Sequence, residues 1–112
     1  MRSKSSDAST ALAKLCTLEA SERDRRWRSA SRLLATAVSA FELADGVSFE
    51  FPRSYAATRG LLDFLRMECG CCPTLSFTMR SGSADATIVL DIRGRDADVT
   101  ALKALYAEFL RA

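Results

Sequence analysis

Apolar residues recur at three- and four-residue spacing from Trp27 through Ala30, Leu33, Leu34, Ala37 and Val38 to Phe41. That spacing predicts an amphipathic helix with one core-facing stripe. Ser21 is its expected N-cap, with Asp24 in the position a capping-box acceptor takes. The period then changes. Val47, Phe49 and Phe51 alternate with Ser48 and Glu50, and Pro52 follows, which predicts a strand with one buried face. Asp45-Gly46 ahead of it predicts a two-residue hairpin turn of type I′, whose central positions need positive φ.

A second helix is expected from Ser54 as cap to about Cys69, with Ala57, Leu61, Leu62, Phe64, Leu65 and Met67 as its apolar positions. Gly60 weakens it locally and suggests close packing on the sheet. Gly70 is the expected left-handed C-terminal residue, and Pro73 blocks continuation. Leu75, Phe77 and Met79 alternate across Thr74–Arg80, and Ile88, Leu90 and Ile92 alternate across Ala86–Arg93. These are two more strands around the turn at 81–85. Asp96 or Asp98 is expected to cap a last helix that turns Val99, Leu102, Leu105, Tyr106, Phe109 and Leu110 inward. The order α-ββ-α-ββ-α predicts an α+β fold, a four-stranded antiparallel sheet with the helices on one face.

Composition adds limits. At 112 residues, 48% hydrophobic and 27% charged, the chain suits one ordinary globular domain. The polar, Ser-rich stretch 1–10 reads as a flexible tail ahead of a single domain over 11–112. A net charge of +2 gives no expectation of nucleic-acid binding. Arg23, Arg25, Arg26 and Arg28, interleaved with Glu22 and Asp24, read as a solvated helix face. No apolar run approaches the ~20 residues of a membrane span, and no secretory signal is legible. The expectation is a cytoplasmic protein in a reducing compartment, whose four cysteines are thiols or ligands rather than structural disulfides. The acidic residues Asp85, Asp91, Asp96 and Asp98 fit no calcium loop and read as turn and cap residues. Asp45 and Asp63 have no partner legible in the sequence.

Histidine is absent. Ser-His and Cys-His nucleophile pairs and His-based zinc catalysis are therefore excluded. The remaining chemistry lies in Met67-Glu68-Cys69-Gly70-Cys71-Cys72-Pro73, with three thiols among four residues. Cys16 is a fourth. Thiolate is the soft-metal ligand, so clustered thiols without imidazole favour a thiophilic ion such as Hg(II), Cu(I), Cd(II) or As(III). Zinc is a further candidate if all four thiols converge. The spacing is not that of a zinc ribbon. Cys69 with Cys71, and Cys72 with Cys16, are the chelating pairs considered. A helix C-terminus disfavours thiolate, and Glu68 adds to that unless a cation such as Arg66 compensates.

The chain resembles a family of small, largely uncharacterised bacterial proteins. Their central motif reads Leu-Glu-Arg-x-Cys-Cys-Pro-Phe-Leu-x-Phe, aligned here with Met67 to Phe77. The resemblance extends to Cys16-Thr17-Leu18 and to Asp45 through Pro52. It implies Cys16, Cys71 and Cys72 as the shared thiols, with Cys69 an addition where an Arg often stands, and an association of some members with heavy-metal response.

The expected function is a thiol-based binding protein for a soft metal or metalloid ion, acting in buffering, delivery or sensing. Cys16, Cys71 and Cys72 are the expected ligands and Cys69 an auxiliary one. Two alternatives stand beside it. One is a thiol redox sensor or oxidoreductase using Cys71, Cys72 and Cys16. The other is a structural module with buried cysteines, forming a homodimer through exposed sheet edges.

Overall fold

The computed structural model describes residues 19–71, 74–82 and 86–110, and at 20, 55 and 68–71 the backbone alone. The chain runs α1 (Ala20–Leu34), β1 (Ser39–Leu43), β2 (Gly46–Pro52), α2 (Tyr55–Cys71), β3 (Ser76–Ser81), β4 (Thr87–Arg93) and α3 (Asp96–Tyr106). A short 3-10 turn, Ala107–Phe109, follows. The four strands form one antiparallel sheet in the order β1-β2-β4-β3. The α-ββ-α-ββ-α order expected from the hydrophobic pattern is the order observed. The expected tail and the turn residues 83–85 lie outside the described residues.

The core lies between the sheet and the helices. Val47, Phe49 and Phe51 of β2 and Leu90 and Ile92 of β4 point to that side and are buried with Ala30 and Leu34 of α1, Leu61 and Phe64 of α2, and Leu102, Leu105 and Tyr106 of α3. Ala40, Phe77, Met79 and Ile88 complete this face from their strands. Aromatic rings tie the layers together. Phe49 meets Tyr106 edge-on at 5.7 Å and Phe109 at 6.0 Å. Trp27 tilts over Tyr106 at 5.6 Å. Such geometry adds to what their buried area contributes.

Several local expectations are revised. The first helix ends at Leu34, not Phe41. The Thr36 hydroxyl donates to the Leu33 carbonyl (2.6 Å), and the Val38 N–H goes to the Glu50 carbonyl (2.7 Å). Once that cross-strand bond forms, the chain continues as an edge strand. Val38 (62% exposed) and Phe41 (48%) then leave the core stripe they fit by spacing. Ser21 is not the cap of α1. Glu19 holds that position without a side-chain bond, and the first turn is braced by Glu22 instead. Ser54 does cap α2, its hydroxyl accepting the Ala57 N–H at 3.1 Å. Neither Asp96 nor Asp98 caps α3. Both sit in its first turn behind Arg95, where their charge complements the helix dipole.

The glycines also differ from expectation. Leu43 pairs with Gly46, so the hairpin loop is Ala44-Asp45 and Gly46 opens β2. No described residue has positive φ, so the turn is not type I′. Gly46 is required for another reason. A Cβ there would run into the Ile92 carbonyl and lie 2.9 Å from the Arg93 Cα. Gly60 is a close-packing residue, but against Leu33 of α1 rather than the sheet. A Cβ would lie 2.9 Å from the Leu33 Cδ1. Gly70 lies within α2, which continues to Cys71.

Candidate functional site

Leu33 near the end of α1 meets Gly60 near the start of α2, and one hairpin separates the two helices. The helices therefore run in opposite senses, and the start of α1 lies toward the end of α2. Between them is a groove of about 540 Å³. Ala30, Leu33, Phe64 and Met67 give it an apolar floor, and Arg26, Ser29, Asp63 and Arg66 give it a polar rim. On α2 the lining residues Gly60, Asp63, Phe64 and Met67 follow helical spacing. The next positions in that series are Gly70 and Cys71.

Of the expected thiol residues, two fall on described backbone. Cys69 and Cys71 occupy the last turn of α2, and their side chains lie outside the described ones. Cys16 and Cys72 lie outside the described residues altogether. Cys16 precedes Ala20, where α1 begins, by four residues. Among the described residues no three His, Cys, Asp or Glu groups gather in a way that could hold a metal ion.

The groove end is electrostatically organised. Glu22 accepts from Arg26 Nε at 2.9 Å and from Arg25 through a second, shorter contact. These bonds hold the Glu22 carboxyl at about 2, well below its ordinary value, mainly through Arg25 and then Arg26. The arginine-rich stretch is thus only in part a solvated face. Arg25 and Arg28 are exposed, while Arg26 turns to the groove.

A second polar cluster was not legible as such in the sequence. On the sheet face away from the helices, Ser48 pairs with Asp91 across β2 and β4. Ser48 is fully buried and Asp91 is 5% exposed. The Ser48 hydroxyl donates to Asp91 Oδ1 at 2.6 Å, and Arg80 Nε donates to Oδ2 at 3.1 Å. Arg93 lies 4.0 Å from the same oxygen and also binds the Asp45 carboxylate at 2.6 Å. Burial pushes the Asp91 carboxyl up. The bonds from Ser48 and Arg80 and the charges of Arg80 and Arg93 outweigh it, and the net shift is downward. Asp91 is therefore neither a turn nor a cap residue, and Asp45 has a partner.

This cluster is built for holding strands rather than for catalysis. A hydroxyl without solvent access cannot meet a substrate, and a carboxylate held below its ordinary range is a weak base. The signal that could have located it is Asp91 itself, a charge in the middle of a strand bordered by alternating apolar residues.

No described helix is long and apolar enough to cross a membrane. No family model, curated protein or solved structure matches the chain.

Proposed function

We propose that this chain is a thiol-based binding protein for a soft metal or metalloid ion, with Cys16, Cys71 and Cys72 as ligands and Cys69 auxiliary. The observation that carries the reading is the concentration of Cys69, Cys71 and Cys72 around the end of α2 in a chain that lacks histidine. Thiolates without imidazole or a converging carboxylate set select soft ions over hard ones. The resemblance through the Cys-Cys-Pro motif points the same way.

The helix arrangement supports it physically. A helix C-terminus alone opposes thiolate. Here the opposite senses of α1 and α2 bring the partly positive start of α1 toward that end, and Arg26 and Arg66 line the adjoining groove. Positive charge of this kind offsets the partial negative charge of a helix C-terminus.

The test is competition with a chromophoric thiol chelator under anaerobic conditions. The reduced protein is expected to remove one equivalent of a soft ion from the chelator, and the Cys16/Cys71/Cys72→Ser variant to lose this by at least about a hundredfold, since thiolates supply most of such a site's affinity. Equal competition by the variant, with its circular dichroism unchanged, contradicts the reading.

A further inference from the structure

We infer that the exposed face of α2 is a homotypic interface, on which a second copy of this chain packs its own α2 in the opposite sense. The inference is independent of the ion-binding reading. It uses charges and an apolar residue that the reading leaves unassigned.

Asp63 and Arg66 form a ridge on α2. On one side they line the groove toward α1, and on the other a second hollow shared with Thr58, Leu62 and Leu65. Both are exposed. Among the described residues neither enters a hydrogen bond or an ion pair. Arg26, across the groove, differs in this respect, because Glu22 already holds it. Leu62 stands beside the ridge, one turn before Arg66, and is 51% exposed. The face thus carries one anion, one cation and one large apolar side chain, none of them satisfied within the described fold.

The order of the charges selects the occupant. Along the chain the ridge reads anion then cation, three residues and about 4.5 Å apart along the helix axis. An antiparallel copy of the same helix reads cation then anion. With a two-fold axis passing midway between positions 63 and 66, Asp63 faces the second copy's Arg66, and Arg66 faces its Asp63. Each charge then has a partner, twice over by symmetry. A parallel two-fold pairing sets like against like, which is unfavourable. The antiparallel register also sets Leu62 opposite the second copy's Met67, whose side chain lines the α1–α2 groove. A ridge of each copy therefore enters a hollow of the other, as packed helices do. The contact is isologous and closes at two chains.

Sedimentation equilibrium of the full-length protein, kept reduced so that no disulfide links two chains, tests this. A monomer–dimer equilibrium is expected. Asp63→Arg and Arg66→Asp each turn two symmetric attractions into repulsions, and each should raise the dissociation constant about tenfold. The double reversal Asp63→Arg/Arg66→Asp should return it close to the wild-type value, since the ridge is then self-complementary in the opposite order. Leu62→Ser should weaken the dimer as well. All three positions are exposed, so circular dichroism should stay unchanged in these variants. A protein that stays monomeric at every concentration, a dimer indifferent to the single reversals, or a double reversal no tighter than either single one overturns the inference.

Discussion

The two faces of the sheet are built on different principles. Toward the helices, one cross-strand row reads Ala40–Phe49–Leu90–Met79, apolar from strand to strand, and the next is apolar across Val47–Ile92–Phe77 with Glu42 of β1 at its edge. One residue further along, on the opposite face, the row reads Phe41–Ser48–Asp91–Thr78. The first face is held by area removed from water, which is non-directional and tolerant of shape. The second is held by a buried carboxylate whose partners must be in place, because an unsatisfied charge at low exposure is costly. A hydrophobic row stabilises many similar registers, whereas the Ser48–Asp91–Arg80 bonds form in one. The apolar face thus drives collapse and the polar face selects the register.

The largest effect expected from breaking this contrast lies on the apolar side. Phe49→Ala removes a fully buried ring that touches Phe51, Tyr106 and Phe109, and should cost about 3–5 kcal/mol in urea unfolding. Asp91→Ala strands the buried Ser48 hydroxyl and should cost about 2–3 kcal/mol, most of it recovered when Ser48 is replaced by Ala as well. Recovery of none of it would mean that the two residues do not act as a pair. Gly46→Ala should cost about 1–3 kcal/mol by overpacking, because β4 backbone occupies the space a Cβ needs.

The acid response sharpens the same comparison. The Asp91 carboxyl is lowered in the folded chain, so its contribution is complete above the ordinary carboxylate value. It is lost as pH falls through the lowered folded value. Wild type should therefore lose stability on acidification below about pH 4, and Asp91→Asn should show a shallower acid limb in pH-dependent urea midpoints. The smallest effect belongs to Glu22. An NMR titration should place its carboxyl near 2, rising toward the ordinary value in Arg25→Ala, with little change in melting temperature because the group is solvent-screened.

These contrasts also explain what a linear reading could recover. Alternation in Val47–Phe51 and Ile88–Ile92 reports which side chains face the helices, so strands, order and sheet were legible, while the burial of Ser48, Val89 and Asp91 on the other face was not. The stretch from Ala37 to Phe41 was not. Helical spacing and an edge strand are both compatible with it, and a cross-strand bond from Val38 to Glu50 decided between them. Gly46 was read through its turn partner Asp45, yet it answers to β4, distant in sequence. Asp91 carried no local sign that an arginine and a serine from other strands would surround it. Of the candidate site, residue type and spacing named the thiols, whose side chains lie outside the described ones. The α1–α2 groove was not legible, since its two walls come from helices separated by a hairpin.

Native mass spectrometry of the reduced protein, titrated anaerobically with Hg(II), Cu(I), Zn(II) and As(III), tests the central claim most directly. The account predicts one tightly held soft ion per chain, absent when Cys16, Cys71 and Cys72 are Ser. No retained ion, or weak adducts spread evenly over all four and unchanged in that variant, would contradict it.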